Sequence, residues 1–114
     1  MNMEETRGNR SEKMTKIIKL AAADFMQRES NGASLITITD VHLSKDEKYA
    51  NILFTVLPEE KQEAVLEFTK RIRSEFRQYI KTKTKLGMIP TFDFDIDYGE
   101  KHRQKIDEIS RNSK

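Results

Sequence analysis

A chain of 114 residues with no cysteine, 36% hydrophobic and 35% charged residues and a formal net charge of +2 suffices for one modest core and hardly for two. That composition excludes disulfides, thiolate metal sites and cysteine nucleophiles together, and no apolar run approaches the roughly 20 residues that span a bilayer. The overall charge is too near neutral to name a partner, so its distribution along the chain must decide.

The opening MNMEETRGNRSEK has no apolar core of the kind a signal peptide needs, and residues 1–10 are expected to fray as a disordered N-terminus. A soluble cytoplasmic protein, expected as a monomer, is the default. Ser11 followed by Glu12 can cap a helix, although Met14 stands where a capping box has Glu or Gln. Met14, Ile17, Ile18, Ala21 and Phe25 then recur on one helical face. Ser30-Asn31-Gly32 stops that helix, with Gly32 suited to a left-handed turn.

LITITDVHL, residues 35–43, is rich in β-branched residues. Ile36 and Ile38 keep one alternation phase while Val41 and Leu43 keep the other, which predicts a bulge near Thr39-Asp40. SKDEK makes a polar turn, and YANILFTVL, residues 49–57, points Ala50, Ile52, Phe54 and Val56 one way. Two strands with a short polar connection predict a hairpin. Pro58 ends the second strand and PEEKQE opens a helix with acids in its first turn. Val65, Phe68, Ile72, Phe76 and Tyr79/Ile80 predict one apolar stripe running through residues 59–83. Gly87 and Pro90 mark the exit. TFDFDID then predicts a strand with Phe92, Phe94 and Ile96 inside and Asp93, Asp95 and Asp97 outside. Residues 99–114 are polar, anchored only by Ile106 and Ile109, and are expected to be a disordered tail.

The order helix, strand, strand, long helix, strand predicts an α+β two-layer domain over residues 11–98, with helices packed on one face of a three-stranded sheet. Little in it suits catalysis. His42 and His102 have no partner motif, the four glycines form no phosphate loop, and the Asp93, Asp95, Asp97 row is read as the wet side of a strand rather than a cation cage. No enzyme activity, cofactor or metal is expected.

KRIRSEFRQYIKTKTK, residues 70–85, places seven basic residues against one acid. Lys70, Arg73, Arg77 and Lys81 follow helical spacing beside the apolar stripe, and Arg71, Lys83 and Lys85 widen the band. A merely solvated face mixes charge signs, and a membrane-surface helix has bulky apolar residues to spare for lipid; this segment does neither. Clustered cations on one helix suit phosphates. Lys45 and Lys48 in the hairpin turn are weaker candidates, Tyr49 is set aside as a stacking platform, and the acidic strand is expected to disfavour binding from the opposite side. A protein-interaction module whose basic helix docks on an acidic partner is the alternative.

Four stretches resemble the ribosome-binding factor A family. Arg10-x-x-Lys13-Met14 opens the first helix as its members do; ITITDVHLSKDEKYANILFTVL carries Thr-Asp-Val, Ser44-x-Asp46 and Tyr49-Ala50; Phe76-Arg77 matches its apolar-Arg pair; and Met88-Ile89-Pro90 leads into TFDFDID. The resemblance covers residues 10–98. It implies a KH-like domain of the type II order that binds the small (30S) ribosomal subunit or its precursor 16S rRNA and assists late assembly and rRNA end processing. Counting back from Pro90, Ile72-Arg73-Ser74 occupies the place of the family's Ala-x-Gly kink, which stands in for the GxxG loop of ordinary KH domains. Serine can bond back to a helical carbonyl but lacks glycine's access to positive φ, so a gentle bend or a nearly straight helix is expected here.

Overall fold

The computed structural model describes residues 3–30 and 32–99; the expected tail, with His102, Ile106 and Ile109, lies outside the described residues. The first helix, α1 (Met3–Glu29), begins eight residues before the expected start at Ser11. No proline interrupts residues 3–11, so nothing in the backbone stops the helix at the serine. Met14, Ile18, Ala21, Ala22, Phe25 and Met26 are buried. The chain leaves α1 with the Ser30 amide on the Met26 carbonyl at 2.9 Å and turns at Gly32, where φ is +79°.

Strands β1 (Leu35–Leu43) and β2 (Tyr49–Leu57) pair antiparallel, and β3 (Thr91–Ile96) lies parallel to β2, giving a mixed sheet of order β1-β2-β3. Register shifts between Ile38 and Asp40, so Ile38 before the bulge and Val41 after it both reach the core. In β2 and β3 the alternation is regular: Ala50, Ile52, Phe54 and Val56, then Phe92, Phe94 and Ile96, are buried. On the other side of the sheet the Thr39 hydroxyl donates to an Asp97 carboxylate oxygen and lies 3.3 Å from the Leu53 carbonyl.

The segment read as one long helix is three pieces: a 3-10 turn (Glu59–Lys61), α2 (Gln62–Arg71) and α3 (Arg73–Lys83). The junction falls on Ile72, at φ −98° and ψ 14°, while Ser74 lies in the first turn of α3. Glycine is not required because φ at Ile72 stays negative. Burial holds the junction in place, since Ile72 is only 8% exposed. Local hydrogen bonds also bridge it: the Ile72 amide reaches the Phe68 carbonyl at 3.2 Å and the Phe76 amide reaches the Ile72 carbonyl at 2.9 Å. Arg73 Nε donates to the Lys70 carbonyl at 3.1 Å, the acceptor that the Ser74 amide would meet in an unbroken helix.

All three helices pack on one face of the sheet. Phe76 is the hub, with ring centroids 5.3 Å from Phe25, 4.9 Å from Phe92 and 5.5 Å from Phe94. Thr69, fully buried with its hydroxyl on the Leu66 carbonyl at 2.7 Å, takes the core position expected of Phe68, which is only partly buried.

Candidate nucleic-acid interface

The nine basic residues singled out from the sequence do not form one uniform band. Lys70 and Arg73, at the end of α2 and the start of α3, converge on Asp93 of β3: Lys70 Nζ lies 2.7 Å and Arg73 Nη1 3.3 Å from its Oδ1. The same oxygen accepts the Phe94 amide at 2.9 Å. Burial by itself would raise the Asp93 pKa, but these hydrogen bonds and the two adjacent cations outweigh it and hold the carboxyl below the usual aspartate range. The aspartate expected to stand opposite the cations is therefore among them, because β3 is an edge strand that α2 and α3 flank. Asp97 is occupied too, with the Thr39 hydroxyl and the Gly99 amide.

Arg77 has a different duty. Its Nη1 donates to the carbonyls of Ile89 at 3.2 Å and Pro90 at 2.8 Å, tying α3 to the loop that enters β3. Arg71 is exposed on the rim of a cleft of about 450 Å³ beside Glu29, Lys61 and Phe68. Lys81, Lys83 and Lys85 are exposed at the end of α3 and make no ion pair among the described residues. Lysines at a helix C-terminus sit where the dipole favours them.

Lys45 and Lys48 are exposed on the hairpin turn. Asp46 builds that turn by accepting the Ser44 hydroxyl at 2.7 Å and the Lys48 amide at 3.0 Å, and the Ser44 hydrogen bond leads in lowering its pKa. Glu47 adopts φ +61°, and its Oε2 is 3.5 Å from Arg10 Nε, an ion pair without hydrogen-bond geometry. The turn brings Lys48 against α3: Lys48 and Arg77 line one cavity of about 350 Å³ together with Tyr49 and Met88.

Lys13, Lys16 and Lys19 of α1 are also exposed; in the sequence, acids along the same helix dilute them. Lys16 lies one turn before Leu20, and Leu20 shares a cavity with Lys83 of α3. The signal was available only as i, i+3 spacing within a mixed-sign helix. Among the described residues no group of three or more His, Asp or Glu side chains is placed to hold a metal ion, His42 simply contacts Asp40 at 3.0 Å, and no helix is long and apolar enough to cross a membrane.

Residues 10–110 match the family model described as ribosome-binding factor A. The chain is similar to the ribosome-binding factor A of Thermodesulfovibrio yellowstonii, with 28% identity over 91% of this chain and 93% of the relative. It also resembles that of Coprothermobacter proteolyticus, with 28% identity over 77% of this chain and 66% of the relative. The crystal structure of ribosome-binding factor A from Thermus thermophilus superposes with a TM-score of 0.64 at 21% identity, covering 73% of this chain and 90% of the other. That likeness is one of fold: helices on one face of a three-stranded mixed sheet.

Proposed function

The chain belongs to the ribosome-binding factor A family, and from that premise we propose that it binds the small (30S) ribosomal subunit or its precursor 16S rRNA as a non-enzymatic assembly factor. It assists late maturation of the subunit and processing of the rRNA ends, acting in the cytoplasm as a monomer. Residues 11–98 are the RNA-binding domain. The observation that carries this reading is the cluster of Lys81, Lys83 and Lys85 at the end of α3, exposed and in no ion pair among the described residues. Such cations displace condensed counterions from RNA phosphates, so affinity falls steeply with salt. Lys70 and Arg73 contribute less than their position in the sequence suggests, because Asp93 offsets part of their charge.

Co-sedimentation with purified 30S subunits tests this reading. Replacing Lys81, Lys83 and Lys85 together with Glu alters no hydrogen bond found among the described residues, so the far-UV spectrum is expected to stay unchanged while sedimentation with subunits is lost. Undiminished sedimentation of that variant overturns the assignment.

One observation favours a second reading, docking of an acidic protein segment. Leu20 is 66% and Ile17 37% exposed, and both line a cavity of about 380 Å³ with Asp24, Tyr79 and Lys83. Aliphatic side chains displayed beside a lysine suit a protein ligand with apolar and acidic groups. Nuclease treatment separates the two readings, since it releases the chain from its complexes under the first and leaves them intact under the second.

A further inference from the structure

Where the hairpin turn meets the loop entering β3, an aromatic ring, a thioether and two cations surround one cavity. Tyr49 is 63% and Met88 67% exposed, among the largest apolar exposures in the described residues. Both line the cavity that Lys48 and Arg77 also line, with Glu47, Ile89 and Thr91 completing its walls. Core packing does not use Tyr49: it opens β2, and its neighbour Ala50 takes the inward position at 2% exposure.

The platform is held from several directions. The Ser44 amide donates to the Tyr49 carbonyl at 2.8 Å, and the Tyr49 amide donates to the Ser44 hydroxyl at 3.0 Å. Thr91, its register partner on β3, donates its amide to the Lys48 carbonyl at 2.8 Å. Arg77 is fixed through Nη1 by two loop carbonyls, which leaves its Nε and Nη2 hydrogens without an acceptor among the described residues. An exposed aromatic side chain on an anchored backbone, lining one cavity with an anchored guanidinium and an ammonium, offers the groups that a base and its phosphate require. Glu47, whose Oε2 is buried 3.5 Å from Arg10 Nε, makes the cavity wall mixed in sign, which disfavours a run of phosphates there.

We propose that this cavity is a subsite for one unstacked nucleotide of single-stranded RNA, with the base on Tyr49 beside Met88 and the phosphate on Arg77 and Lys48. The proposal rests on the reading that the chain binds RNA and adds to it a preference for unpaired over duplex segments, because a base inside a duplex has no free face to stack.

Anisotropy titrations of the full chain with a labelled mixed-sequence single-stranded RNA and with its duplex test it. Tyr49→Ala is expected to weaken single-strand binding about five- to 150-fold, the loss that removal of one base–aromatic stack produces, with the salt dependence unchanged because no cation is removed. Tyr49→Phe is expected to stay within about twofold of the parent, and duplex binding is expected not to respond to either change. The chain contains no tryptophan, so Tyr49→Trp supplies a direct signal: single-stranded RNA quenches its emission and the duplex does not. Unaltered emission at saturating single-stranded RNA, or unaltered affinity of Tyr49→Ala, overturns the subsite. If Lys81, Lys83 and Lys85 to Glu still weakens binding in that case, the broader function stands without it. Failure of the parent chain to bind either RNA overturns both.

Discussion

Asp93→Asn is expected to tighten RNA binding while slightly destabilising the fold. Asp93 is 2.7 Å from Lys70 Nζ and 3.3 Å from Arg73 Nη1, so the three side chains carry a net charge of +1 that the substitution raises to +2. One additional cation available to phosphate steepens the log–log salt dependence of single-strand binding by about 0.7, which corresponds to roughly fivefold higher affinity near 0.1 M salt. The side chains of Lys70, Asp93 and Arg73 are 35%, 46% and 47% exposed, so solvent screens the lost ion pairs and the stability loss is about 1 kcal/mol in total. Asn retains an oxygen for the Phe94 amide. Filter binding to a 16S rRNA fragment across a salt series measures the affinity, and urea unfolding measures the stability. Asp95→Asn is the control, because Asp95 makes no ion pair among the described residues and its replacement removes the same formal charge. Weaker binding by Asp93→Asn, or a salt slope no steeper than that of the Asp95 control, refutes the idea that Asp93 restrains these cations.

Phe76→Ala removes the fully buried ring that meets Phe25, Phe92 and Phe94; urea unfolding is expected to show a loss of about 3–5 kcal/mol, a large part of a small domain's total of about 5–15 kcal/mol. Ser74→Gly is expected to lose only about 0.5 kcal/mol, since Ser74 is an exposed first-turn residue of α3; a gain in stability would show that the backbone there is strained for a side-chain-bearing residue. Asp93 has a folded pKa below the ordinary 3.8, so its contribution is full above that value and is lost as the pH falls through the lower folded pKa. The difference in urea midpoint between the parent and Asp93→Asn is therefore expected to narrow below about pH 4 and to stay constant from pH 5 to 7.

The strands were legible because their patterns are local. Alternation in TFDFDI and YANILFTVL states which side chains point inward, and the phase change across Thr39 states where register slips. The helical stripe was legible except where a polar residue outcompeted an aromatic one: Thr69 is buried because its hydroxyl bonds to the Leu66 carbonyl within its own helix. The site was legible in composition but not in pairing. Asp93 lies 23 residues from Lys70 and 20 from Arg73 across a parallel crossover, so no periodicity joins it to them. Tyr49 is not legible as a site residue, because exposure at the first residue of a strand depends on what the hairpin turn and β3 leave uncovered.

The break at Ile72 interrupts the regular helix between Lys70 and Arg73. On a single cylinder, Lys70 and Arg73 would stand about 300° apart, so that Arg77 and Lys81 would extend the same line. With one residue out of the helical conformation, Lys70 and Arg73 still meet on Asp93 Oδ1. Within α3, six residues put Arg77 and Lys83 about 120° apart around the axis, so Arg77 lines the cavity at the hairpin turn and Lys83 the one beside α1. The basic side chains of α3 therefore cover two sides of one helix and not a single track.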